Sequence, residues 1–282
     1  MPPSSRRREF LQLATAAGTV VAVKGQQQQQ NQPVQWAPRP LFNGAPVLFR
    51  SSTLSGPATW LGRQIEFRPA GDADSKLYTA LAGVDLNTKP GRYPLVIGDL
   101  TIPVLVQSRA YPVSRIRVDS RFVDPPKDEA KRIAEERELK KRVFAESPKE
   151  RLWRGSFAAP TGTTQTSPFG ARRTYNGKTR SIHQGLDFAA ATGSEIRAAN
   201  SGIVRIARPM YFEGGLVVID HGESIFTLYM HLSDFLAKEG QNIGKGEPIA
   251  KSGATGRVTG PHLHFSVLWQ GAYLEPATLL RL

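Results

Sequence analysis

Residues 255–269 read TGRVTGPHLHFSVLW, and the folding of this run decides where the chain's chemistry sits. A Gly-Pro turn precedes a stretch rich in β-formers, so His262–Trp269 is expected as a strand. Side chains two apart on a strand share a face and stand about 6.5–7 Å apart. His262 and His264 therefore look into one cleft, while Leu263 and Phe265 turn to the core. The spacing suits one imidazole on a metal ion and its neighbour beside the reacting atoms.

The other histidines reinforce this. The chain has 282 residues and 5 histidines, all of them after residue 180: His183, His221, His231, His262 and His264. A metal or acid–base site explains such clustering economically. In SIHQGLDFAA (181–190), His183 and Asp187 are four apart. On an ideal strand they would lie roughly 13 Å apart, too far to share an ion. Gly185, between them, permits a bend or bulge that could bring both heads together. His231 lies near the end of the apolar run IFTLYM (225–230) and by itself reads as a satisfied core or surface histidine. His221, at the end of VVID (217–220), reads as a turn residue bonded to backbone.

Taken in order, HxxxD, a lone His and GPHLHF resemble the pattern of the lysostaphin- or LytM-type zinc endopeptidases, which cleave peptides of bacterial peptidoglycan. GLDFAAATGSEIRAANSGIV, GLVVIDHG, TLYMHLS and GATGRVTGPHLHF follow in the same order. The similarity covers roughly residues 153–282, and it departs from the usual pattern only where AAATG stands in place of a proline before Thr-Gly. The resemblance implies His183, Asp187 and His264 as ligands of one Zn2+. It implies His231 and His262 as the catalytic pair, and Tyr175 as a candidate oxyanion donor. Two imidazoles, a carboxylate and a water make a tetrahedral zinc site with one open position, at which the pKa of water falls toward about 7. No glutamate follows a metal histidine as in HExxH enzymes, so imidazole must serve as the base.

The rest of the chain supplies context. A formal charge of +13 and a sequence pI near 10.2 favour anionic polymers. The charge is spread out rather than gathered into Lys/Arg blocks interleaved with aromatics, which disfavours nucleic acid. The absence of cysteine excludes disulfides, thiolate catalysis, Cys-based zinc sites and a lipoprotein anchor. The stretch SSRRREFLQLATAAGTVVAVKG (4–25) has a charged start and an apolar run too short for a stable membrane anchor. Its twin Arg followed by x-Phe-Leu resembles a twin-arginine export signal.

The expected organisation is mainly β. A signal peptide occupies residues 1–23 and a Gln-rich tether 24–37. A small β-sandwich accessory domain, with turn signals at intervals of about ten residues, covers 38–122. A charged linker covers 123–152, its helix (126–146) bridging domains through solvent because its apolar stripe is thin. An antiparallel β-sheet or sandwich metallopeptidase domain covers 153–282, within which KEGQNIGKGEPIAKSG (238–253) reads as a hairpin. The expected function is zinc-dependent hydrolysis of peptidoglycan peptides in the periplasm or cell envelope, with no nucleic-acid partner and no membrane anchor once the signal is cut. The rival is a non-catalytic relative that binds wall peptide or activates another hydrolase. Such relatives usually lack a ligand, and none is missing here.

Overall fold

The computed structural model describes residues 33–71 and 75–282. The expected signal peptide, 1–23, and the tether up to residue 32 lie outside these residues. The described chain is mainly β, as its alternating patterns and turn signals require. An eight-stranded sheet comes first, then a long helix, then a ten-stranded sheet with a three-stranded sheet at its side.

The first sheet folds on itself around Phe49, Trp60 and Phe67, whose rings meet edge-on or tilted at 5.3 and 6.4 Å. Its edge strand, Gln35–Ala37, pairs antiparallel with Pro46–Ser51. Residues 35–37 are thus sheet rather than tether, because Trp36 packs against the core and so holds the strand in place. At the far end, Val113–Ile116 leaves this sheet altogether. It pairs in parallel with Arg172–Tyr175, which is hairpinned to Thr179–Ile182. A segment expected in the accessory domain therefore forms part of the C-terminal half.

In the ten-stranded sheet the central path runs Leu186–Phe188, Leu263–Trp269, Ile225–Phe235, Gly214–Asp220 and Gly202–Met210, each pair antiparallel. Both faces are covered, which explains the near-continuous apolar runs. Leu263, Phe265, Val267, Tyr229 and Val217 face the main core, which continues without a break into the first sheet. On the other face Phe226, Leu228, Val218 and Leu268 pack under the helix Ala130–Ala145 through Leu139, Val143 and Phe144. Phe144 meets Phe226 edge-on at 5.2 Å. The helix is therefore a roof on the sheet, not a bridge through solvent. Three apolar side chains spaced at i, i+4 and i+5 suffice to dock it, and its outer face carries the i,i+4 pair Lys131–Glu135 at 3.9 Å.

The expected hairpin over 238–253 does not form. Asn242–Ile243 pairs with Gly202–Ile203, whereas Pro248–Ser252 pairs with Glu195–Arg197 and with the end of Ile225–Phe235. The turn at Gly244–Glu247 is present, but its two arms diverge onto different strands. Among the described residues no helix is long and apolar enough to cross a membrane.

The two halves meet at Gly83. Its carbonyl accepts from Trp60 Nε1 at 2.9 Å, and a Cβ there would stand 2.5 Å from Leu274 Cδ2 and 3.0 Å from the Trp269 ring. Gly83→Val should cost about 1–3 kcal/mol through overpacking. Thermal unfolding should show a midpoint several degrees lower, at roughly 2–4 °C per kcal/mol; an unchanged midpoint would show that this interface yields freely.

Candidate metal centre

The strand register creates the centre. Asp187 lies directly opposite His264 on neighbouring antiparallel strands, and Met230 lies opposite His264 on the other side. Paired residues on one face have Cβ atoms about 4.5–5.5 Å apart, so the carboxylate and imidazole meet without distortion. His183 arrives from the hairpin Arg172–Ile182, anchored by its N–H to Ala171 O at 2.8 Å and by its carbonyl accepting from Gly170 N at 2.8 Å. The chain then bends over the strand at Gly185. A Cβ there would stand 2.4 Å from His264 Nε2 and 2.6 Å from Phe265 O, so only glycine lets His183 and Asp187 close onto His264.

Three ligand atoms converge as a result. His183 Nε2 lies 2.9 Å from Asp187 Oδ1 and 2.9 Å from His264 Nδ1, and the last two atoms are 2.8 Å apart. All three residues are buried. Hydrogen bonds elsewhere set the tautomers. Pro168 O, which can only accept, takes the Nδ1–H of His183 at 2.7 Å. His264 Nε2–H donates to Ser266 Oγ at 2.9 Å. In its neutral form each ring thus turns a bare lone pair toward the carboxylate oxygen. Three acceptors at this separation repel one another unless a cation or a proton lies among them. Zinc holds such ligands at about 2.0–2.2 Å in a tetrahedron, which sets neighbouring ligand atoms roughly 3.3 Å apart. The observed triangle is within a few tenths of an ångström of that, so the donor set fits one divalent cation.

Electrostatics favour the binding forms of Asp187 and His264. Burial opposes ionisation of Asp187, but the adjoining His183 and His264 rings outweigh it and hold its carboxyl well below the usual range. Burial lowers His264 to about 4, against the pull of Asp187. The second oxygen of Asp187 accepts from Arg173 at 2.9 Å, and Arg173 also donates to Ser167 Oγ at 2.7 Å. Arg173 went unrecognised in the sequence. Its signal was the strand alternation that places it on the same face as Tyr175.

His231 and His262 stand beside the triangle. Their ring centroids are 4.9 Å apart, and His231 is 5.9 Å from His264. His262 Nε2 lies 3.8 Å from Asp187 Oδ1. In regular alternation His231 would point to the core side, with Tyr229. Instead, a bulge interrupts the register with Gly214–Asp220 between Val217↔Tyr229 and Gly215↔Leu232, and His231 takes φ +67°. This strained conformation turns its ring onto the cleft face, and the strand runs on to Phe235 rather than ending near His231. His231 Nδ1–H donates to Thr255 O at 2.9 Å and His262 Nδ1–H to Gly260 O at 2.8 Å. Both leave Nε2 available. Burial, reinforced by the neighbouring imidazoles of His264 and His262, pushes His231 well below its ordinary value.

The remaining two candidates separate. His221 is fully buried away from the centre, bonded through Nδ1 to Ser201 O and through Nε2 to Thr227 Oγ1, both at 2.8 Å. Its expected backbone bond is present, with a hydroxyl added. Tyr175 lines the same cleft as the centre. That cleft holds about 670 Å³.

Comparison with known proteins agrees with this picture. Residues 181–276 match Peptidase family M23, and the chain carries an M23 peptidase domain there. Over 131 residues the chain is 38% identical to the peptidoglycan DD-endopeptidase ShyA of Vibrio cholerae, a match covering 46% of this chain and 28% of that protein. Over 117 residues it is 38% identical to the DD-carboxypeptidase/endopeptidase Mpg of Neisseria meningitidis, covering 42% of this chain and 27% of that one. The chain thus spans little more than a quarter of the length of these curated relatives. A crystal structure from Pseudomonas aeruginosa, described as a candidate peptidase M23, superposes with a TM-score of 0.61 at 25% identity, over 90% of this chain and 97% of that one.

Removing the Asp187 partner should loosen the metal without touching a ligand. Arg173→Met is expected to weaken zinc affinity about 10–100-fold, measured by competition with a chromophoric chelator. Gly185→Ala should bind zinc more weakly still; parental affinity in both variants would mean that neither residue shapes the centre.

Proposed function

We propose that the chain is a zinc-dependent endopeptidase hydrolysing peptide cross-links or stem peptides of bacterial peptidoglycan. The observation that carries this reading is the convergence of three bare lone pairs, on His183, Asp187 and His264, beside two further imidazoles in an open cleft. One zinc ion held by those three residues would polarise the scissile carbonyl and acidify water. His231, its Nδ1–H tied to Thr255 O, offers Nε2 as the base that takes a proton from the attacking water. His262, fixed through Gly260 O, presents Nε2 on the same side to donate a hydrogen bond to the developing oxyanion when protonated, or to share the proton transfer. His231, once protonated, can return its proton to the leaving amine, which completes hydrolysis without a carboxylate base. Tyr175, in the same cleft, is a further donor toward the oxyanion.

The names of the curated relatives support peptidoglycan as substrate and a D,D-bond as the one cut; export into a Gram-negative-style periplasm would make that bond a D-Ala to diaminopimelate cross-link. In this reading residues 1–23 direct export by the twin-arginine route to the periplasm or envelope. Residues 35–112 are an accessory domain, Val113–Ile116 joins the C-terminal half, 123–152 is a linker whose helix roofs the second sheet, and 153–282 is the peptidase domain, with the tether shortened to the residues before Gln35.

Three variants separate binding from chemistry. His264→Ala and Asp187→Ala should lose both bound zinc, by elemental analysis, and release of cut cross-links from purified sacculi, by mass spectrometry. His231→Ala should keep its zinc and lose about 10²–10⁴-fold in rate. Release at the parental rate by His231→Ala would remove that residue from the mechanism; zinc binding with no release by the parent would favour a wall-binding role instead.

A further inference from the structure

The wall of the cleft carries an excess of positive charge that the proposed chemistry does not use. Four arginines line it, Arg115, Arg117, Arg173 and Arg257, against the carboxylates Asp187 and Glu213. Both carboxylates are engaged: Asp187 with Arg173, and Glu213 with Lys140 of the helix. Arg115, Arg117 and Arg257 have no ion-pair partner among the described residues. Two of them sit on and just beyond Val113–Ile116, the strand that crosses over to flank Arg172–Tyr175.

Arg257 is the most organised of the three. Its guanidinium lies 4.7 Å from the Tyr175 ring centroid and 5.2 Å from that of Phe212. Its backbone N–H donates to Phe212 O at 2.9 Å. The preceding Gly256 has φ +72°, and a Cβ there would stand 2.3 Å from Gly214 N, so the turn is tightly held. The same turn supplies Thr255 O, which orients His231. A guanidinium stacked on aromatic faces loses little entropy on binding and keeps its N–H edge for a planar, bidentate acceptor.

We propose that Arg257, assisted by Arg115 and Arg117, is a carboxylate-binding subsite that selects acidic peptides for the cleft. This deepens the endopeptidase reading and rests on it for the identity of the peptide. Arg257 acts as a specificity residue, and the reacting atoms remain with His231, His262 and the metal ligands.

The test uses the full chain loaded with zinc. Calorimetry compares a stem tetrapeptide bearing free carboxyl groups with the same peptide as its carboxamides. The acid should bind at least about tenfold more tightly, as charge-assisted hydrogen bonds imply. Arg257→Gln should abolish that difference while leaving carboxamide affinity unchanged. Arg257→Lys should keep part of it, and exposed-site Arg117→Gln should narrow it. Full discrimination by Arg257→Gln would overturn the proposal. Cleavage of cross-linked dimers, run in parallel, separates the two readings. Discrimination in binding without cleavage keeps the subsite and removes the peptidase; cleavage with equal kcat/KM for acid and carboxamide substrates keeps the peptidase and removes the subsite.

Discussion

Three acceptor atoms held within 2.8–2.9 Å of one another, in a buried place, form an arrangement that water-exposed side chains would abandon. Electrostatic repulsion among them is tolerable only because a positive centre can lie between them. Much of the C-terminal half serves to impose this geometry. Antiparallel register fixes Asp187 against His264, the bend at Gly185 carries His183 across, and Pro168 O and Ser266 Oγ turn the rings. Arg173 prevents the second carboxylate oxygen from competing for the same space. The centre is pre-organised by the sheet, which spares a bound metal the cost of gathering its ligands.

The second imidazole pair depends on a different device. A regular strand would present His231 to the core, where an imidazole without partners would destabilise the protein. The bulge and the left-handed backbone at His231 place it instead beside His262. Strain of this kind persists only where its surroundings over-determine it. Here the His231 N–H donates to Glu213 O and its ring to Thr255 O, each at 2.9 Å. Glu213 is in turn tied to Lys140, so the helix that roofs the sheet also steadies the turn beside the cleft. The first sheet, sharing one core with the second through Gly83, Trp269 and Leu274, makes the whole a rigid support.

Local pattern in the sequence carried further than composition. The alternation in HLHFSVLW was enough to place His262 and His264 on one face and Leu263 and Phe265 on the other, because a strand's period of two is a local property. The mainly β architecture and the helix over 130–145 were legible for the same reason. The docking of that helix was not: three apolar side chains look sparse until the sheet face they meet is known. The pairing partners of Asn242–Ile243 and Pro248–Ser252 were equally hidden, since a turn signal says where the chain reverses and not which strands accept its arms.

By itself, then, the sequence determined the chemistry on offer: five histidines confined to one half, an HxxxD and an HxH, no cysteine, and the glycine that makes the first motif able to bend. Only the tertiary structure decided the geometry. Whether His183 reaches His264, which way His231 points and which arginines face the cleft are settled by contacts between segments dozens of residues apart. Those contacts follow from register, bulges and packing across the sheet, none of which is encoded at a single position.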